Sequence, residues 1–207
     1  MKNSKNTNKR ELKAAETKKK IYESARQLAL AHGIDNVSVD SIVKAAGVSK
    51  GSFYVHFRSK DALTADFVNE YTRKADLDYR SFLSALPDDI SAHDVLILLA
   101  GEISDFIDTT IGLENMKVLY KAHLTKTIDT TTAMSYNREL YKLFTEVLER
   151  GVRQGELRDD LPVDVLAKHL IMAIRGLTFE WCIRHPDYDL KEQAQAYFAI
   201  LIDGLKK

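Results

Sequence analysis

Cysteine occurs once in the chain, at Cys182, which excludes an intrachain disulfide framework and suits a reducing compartment. No run of about 18 apolar residues exists to cross a membrane, and the lysine-rich start leads into no signal-peptide core, so the expected location is the cytoplasm. The six histidines (His32, His56, His93, His123, His169 and His185) are scattered without an HExxH pair, and Cys182 has no CxxC partner. There is no nucleophile elbow, phosphate-binding loop or dinucleotide glycine run either. No enzymatic activity, metal or cofactor is expected. Neither sign of charge prevails, since 30 Lys and Arg balance 30 Asp and Glu. Three prolines, nine glycines and no strand-period pattern of useful length leave an all-α reading.

The stretch from Ser38 to Lys60 is the most informative part of what is present. Ser38 stands as an N-cap with Asp40 in the first turn, and Val39, Ile42, Val43 and Ala46 follow the spacing of one buried helical face. Gly47 ends that helix, being the residue that enters a left-handed conformation without steric cost, and Ser49 caps a second helix at once. Two helices joined so tightly cross steeply, as in a helix-turn-helix. The second runs from Lys50 to about Phe57, with Val48, Phe53 and Phe57 inward and Lys50, Ser52, Tyr54 and His56 on or beside the outer face. Gly51 is costly inside a helix, by about 1 kcal/mol relative to alanine, and its use there points to close approach of a bulky partner.

With Ile21, Ala25, Gly33, Ser38, Ile42, Ala45, Gly47, Val48, Ser49, Gly51, Tyr54, His56, Phe57, Lys60 and Leu63 in register, residues 21–63 resemble the DNA-binding domain of the TetR family of transcriptional regulators. The resemblance implies a three-helix DNA-binding domain, a larger helical regulatory and dimerisation domain, and a homodimeric repressor released from an inverted-repeat operator by a small molecule. It assigns Ser38 and Lys60 to phosphates flanking the motif, and Ser49, the second cap, is expected among the DNA contacts beside them. Lys50, Gly51 and Ser52 are assigned to base edges and adjacent backbone, and Tyr54 and His56 to phosphates that fix register. Val55 cannot hydrogen-bond and at most packs on a thymine methyl or sugar. A helix-turn-helix scaffold that binds a protein instead of DNA is the competing reading.

Charge is segregated as DNA binding demands. Residues 1–60 hold 13 Lys and Arg against 5 Asp and Glu, and residues 61–207 hold 17 against 25. A basic head on an acidic body meets phosphates at one end only. The expected domains are a disordered basic arm at 1–11, the DNA-binding domain at 12–60 and a ligand-binding and dimerisation domain at 61–207.

In the remainder, turn signals divide helices at 60–86, 91–110, 113–126, 130–154, 162–185 and 190–205. The helix from Lys60 runs out of the DNA-binding domain without a loop. The helix from Pro162 has two apolar sides, one made by Leu166, Leu170, Ala173, Ile174, Leu177 and Trp181 and the other by Val165, Met172 and Phe179. The last helix carries Ala194, Tyr197, Phe198, Leu201 and Leu205. A four-helix bundle from two chains buries such surfaces twice, so the expected dimer contacts are Leu166, Leu170, Ile174, Leu177, Ala194, Tyr197, Phe198, Leu201 and Leu205. Residues combining bulk with a polar handle nominate the effector pocket: Phe82, Phe106, Met116, Tyr120, His123, Tyr141, Phe144, Met172, Arg175, Phe179 and Trp181. Such a lining suits an apolar or aromatic compound.

Overall fold

The computed structural model describes residues 10–207 and contains no strand among them. Its α-helices are α1 (Lys2–His32), α2 (Val39–Ala46), α3 (Lys50–His56), α4 (Lys60–Ser84), α5 (Ala92–Phe106), α6 (Leu113–Thr125), α7 (Thr131–Met134), α8 (Glu139–Arg153), α9 (Val163–Arg184) and α10 (Leu190–Asp203). A 3-10 turn (Ile34–Asn36) follows α1, and a π-helical turn (Ile107–Ile111) follows α5. The arm expected at 1–11 lies outside the described residues as far as residue 9. Arg10 and Glu11 are described and are helical, leading into the strong helix formers of residues 12–16.

The chain divides into two compact units, Met1–Val68 with Lys117–Thr130, and Asn69–Met116 with Thr131–Lys207. Where the sequence suggests contiguous domains, the first unit thus also takes in a segment far along the chain. One tie of that segment is the 3.0 Å ion pair between Lys121 and Asp35. Both α4 and α6 are shared between units without a break.

In the first unit α1 packs against α2 and α3 around Ile21, Ala25, Ile42, Phe53, Phe57 and Leu63, all buried. Gly33, at φ 74°, ends α1, and Asn36 Nδ2 donates to the carbonyl of His32 at 2.8 Å. In the second unit α5 lies against α10 and α8, and α8 against α9. Its core is made by Leu96, Leu99, Leu143, Phe144, Leu148, Trp181, Leu190, Ala194 and Phe198.

Two sequence expectations change here. The helix expected over 130–154 is broken between α7 and α8, where Asn137 N donates to Ser135 Oγ at 3.1 Å. That side-chain acceptor gives the backbone an alternative to helical pairing. The expected dimer set is also largely consumed by the unit's own core, since Leu166, Leu170, Ile174, Ala194 and Phe198 are buried within it and Leu177, Leu201 and Leu205 are half-buried. Of that set only Tyr197 is exposed. The apolar residues left outward on these helices are Met172, Phe179 and Ile183 on α9 with Tyr197 and Ile200 on α10. Periodicity showed two apolar sides of α9 and had no means of telling which one the chain keeps for itself.

Candidate functional site

Two caps and a left-handed glycine build the helix-turn-helix. Ser38 Oγ accepts from Ser41 N at 3.0 Å while Ser41 Oγ accepts from Ser38 N at 3.0 Å, a reciprocal capping box. Gly47, at φ 64°, closes α2, and its neighbour Val48 donates from N to Val43 O at 3.0 Å. Ser49 Oγ then accepts from Ser52 N at 3.1 Å to start α3. Phe53 and Phe57 anchor α3 to the core, their rings 5.7 Å apart.

That anchoring turns Lys50, Gly51, Tyr54 and Val55 outward, all exposed, with Ser52 and His56 part-covered beside them. Six of the eight expected DNA contacts therefore share α3 and its cap. Lys50 Nζ meets the Asp40 carboxylate at 2.8 Å, and this pairing holds the ammonium above its ordinary pKa. Asp40 went unnoticed in the sequence because it reads there as a helix N-terminal charge. Lys44 on α2 and Arg58 between α3 and α4 are further exposed cations flanking this surface.

Lys60 departs from its expected role. Its ammonium donates to the backbone carbonyls of Ile34 (3.0 Å), Asp35 (3.2 Å) and Val37 (3.0 Å). An ammonium has three donors, and all three are spent on the α1–α2 connection. Lys60 is a tie between the start of α4 and that connection rather than a free phosphate contact. Ser38 is likewise committed to its cap, with its hydroxyl also 3.2 Å from Ser41 Oγ.

Within the protein a Cβ on Gly51 meets only Ser49 Oγ at 3.8 Å, so nothing intramolecular requires glycine. Gly51→Ala is expected to raise stability by about 1 kcal/mol while weakening DNA binding. Thermal melts and DNA titrations of the same sample check both halves, and a stabilised variant of undiminished affinity would remove the close-approach argument.

In the second unit a groove of about 790 Å³ runs between α4 and the α7–α8 connection. Asn69, Thr72, Arg73, Asp76, Leu77 and Arg80 line one side, and Thr131, Thr132, Ser135, Asn137, Arg138 and Glu139 the other. Asp76 and Arg138 pair at 2.8 Å with side chains only 15% and 14% exposed. Burial pushes the Asp76 carboxyl up by more than the neighbouring guanidinium pulls it down. Arg80 bonds both Glu139 and Glu146, and holds Glu139 below the usual carboxylate range. Behind these pairs burial raises the phenol of Tyr79.

None of the eleven residues nominated for the effector pocket lines this groove. Phe106, Met116, Tyr141, Phe144 and Trp181 are buried, Phe82 and Arg175 are half-buried, and Met172 and Phe179 are exposed on α9. Tyr120 and His123 belong to the first unit, where His123 Nδ1 lies 2.6 Å from Thr130 Oγ1. Bulk at core spacing selected buried residues in five of the eleven cases. The groove is lined by charged and small polar side chains that in sequence look like ordinary solvated surface.

Two family models match the chain. The model described as bacterial regulatory proteins, tetR family, covers residues 21–66, and that of the MAATS-type transcriptional repressor, C-terminal region, covers 109–207. The HTH-type transcriptional repressor KstR2 of Rhodococcus jostii is 24% identical over 185 residues, 89% of each chain. A putative transcriptional regulator from Saccharomonospora viridis, solved with choline, superposes with a TM-score of 0.72 at 19% identity, covering 93% of this chain and 99% of that one. Thermus thermophilus FadR, a transcriptional repressor solved with lauroyl-CoA, gives 0.66 at 20% identity over 90% and 94%. No helix among the described residues is long and apolar enough to cross a membrane. With capped helix-turn-helix geometry at one end and matching regulator models toward both ends, the chain belongs to the TetR family of bacterial regulatory proteins, DNA-binding regulators of transcription.

Proposed function

We propose that two copies of this chain bind an inverted-repeat operator and repress transcription by occupying it, and that a small molecule bound in the second unit releases them. The observation that carries the reading is α3, presented by two serine caps and two buried phenylalanines so that Lys50, Gly51, Ser52 and Tyr54 face outward. Recognition helices about 34 to 36 Å apart enter successive major grooves. The exposed apolar face of α9 and α10, with Met172, Phe179, Ile183, Tyr197 and Ile200, supplies the surface on which the second copy seats. The place of action is the cytoplasm, and no catalytic step is assigned to the chain.

Release follows from α4. Its first turns are held by Lys60 and its last turns flank the groove, so a ligand that shifts the groove wall shifts the same helix that is tied to the DNA-binding unit. Reciprocity then requires operator DNA to weaken the effector by the factor that the effector weakens DNA. The relatives solved with choline and with lauroyl-CoA hold unlike ligands, so the effector here has to be read from this chain's own residues.

Selection of duplexes from a random pool, followed by titration of the enriched sequence at several salt concentrations, tests the reading. The expected result is an inverted repeat with half-sites about one turn apart and affinity that falls by about 10³ or more between 50 and 200 mM salt. No enrichment, or binding indifferent to salt, would transfer the motif to a protein partner.

A further inference from the structure

Two hydroxyls in the second unit are buried without a hydrogen-bond partner in the protein: Tyr141 Oη on α8, in a residue 5% exposed, and Ser104 Oγ on α5, in a residue 1% exposed. A hydroxyl removed from water regains nothing unless an acceptor meets it, so such groups are few in folded proteins. The usual escape for a helical hydroxyl is the carbonyl four residues back. Thr145 takes it, donating to Tyr141 O at 2.8 Å, and so does Thr178, donating to Ile174 O at 2.9 Å. Ser104 does not, and a tyrosine is too long to do so.

The phenol of Tyr141 is surrounded by a definite chemistry. Its ring stands edge-on to Tyr136 at 5.0 Å, and the Arg175 guanidinium carbon lies 5.9 Å from its centroid. Arg175 reaches the Ala133 carbonyl at a long 3.4 Å. Tyr136 and Ala133 belong to α7 and the broken connection to α8, while Leu140, Leu143 and Phe144 beside Tyr141 on α8 are apolar and buried. Arg138, one helical turn before Tyr141, lines the groove described above. A phenol can donate or accept, but a guanidinium only donates and would repel a cation, so the group that serves both is an acceptor. The complement is an acceptor oxygen, preferably charged, at the end of an apolar body.

We propose that Tyr141 Oη is the polar anchor of the effector site, and that the effector is an apolar molecule ending in a carboxylate or carbonyl oxygen. It enters from the groove between α4 and the start of α8, accepts the Tyr141 hydroxyl proton in a hydrogen bond, and places its charge by Arg175, with Ser104 as a second donor from the helix packed on α8. This inference rests on release by a small molecule and names the ligand's class.

Decanoate and decanol, alike except for the terminal group, are the probes, with binding followed by thermal shift and calorimetry on the full-length wild type, Tyr141→Phe and Ser104→Ala. Decanoate is expected to bind the wild type at least about tenfold more tightly than decanol. Tyr141→Phe should melt no lower than the wild type without ligand, because no internal hydrogen bond is lost, and should lose that preference. Ser104→Ala should reduce it. Equal binding of the two probes, no binding of either, undiminished preference in Tyr141→Phe, or a lowered melting temperature of that variant would each overturn the anchor. Operator binding by the ligand-free wild type is scored separately, and its failure would count against the repressor reading while leaving the ligand preference to stand or fall on its own.

Discussion

Replacing Arg138 with alanine is expected to destabilise the second unit by about 3–5 kcal/mol, the range for stripping a buried charge of its partner. For a chain of this size that is a fall of roughly 6–20 °C in melting temperature. Asp76 and Arg138 are each about 85% covered, and burial already holds the Asp76 carboxyl above its ordinary pKa despite the guanidinium 2.8 Å away. Without Arg138 only the backbone N–H of Leu140 is left to offset the desolvation, and the Glu139 charge adds to it. The direction with pH follows: a carboxyl with a raised folded-state pKa binds its proton more tightly when folded, so the cost of ionising it appears as pH rises through that value. The gap between wild type and variant should therefore be widest near neutrality and narrow as pH falls through the carboxylate range. Asp76→Leu with Arg138→Leu removes both charges and should recover most of the loss. A single variant that melts within about 2 °C of the wild type, at about 0.5–1 kcal/mol or less, would mean that water reaches the pair and that the groove wall is not held by it.

How much of this was legible in the sequence depends on whether the signal is local. Ser38, Gly47 and Ser49 act on backbone groups within four residues, so the bounds of α2 and α3 could be read directly, as could the outward set on α3. The break before α8 could not. It depends on Ser135 Oγ taking the Asn137 amide in a stretch whose apolar spacing continues as though helical. Choosing between the two apolar sides of α9 needs the long-range fact that α8 and α10 pack on the side of Leu166, Leu170 and Ile174. The groove escaped for a related reason. Asp76 on α4 and Arg138 just before α8 lie 62 residues apart, and neither is unusual where it stands in the sequence. Residue type misled at Lys60, because a lysine in a basic segment reads as a phosphate contact until the carbonyls around it are seen.

Lys50 and Lys60 therefore divide what the sequence treats as one role, and their alanine variants should part in three measurements. Lys50→Ala removes an exposed cation from α3 without disturbing the core. Operator affinity is expected to fall about 30-fold or more, since a contact worth about 1–3 kcal/mol is lost in both half-sites, and the salt slope should shrink by about 1 per half-site. The melting temperature should hold, because the Asp40 pair it gives up is more than half exposed at both ends and worth little in water. Lys60→Ala strips the donors from Ile34, Asp35 and Val37, and is expected to cost about 2–3 kcal/mol, as charge-assisted bonds do when their acceptors are only partly rewetted. Its salt slope should match the wild type, because no phosphate loses a counter-charge. Lys60 is also the tie through which α4 holds the α1–α2 connection, so effector at saturation should displace this variant from DNA less completely than the wild type. A reduced salt slope with an unchanged melt in Lys60→Ala would return Lys60 to the phosphates. It would also leave the coupling between groove and recognition helix to be carried by some other contact of α4.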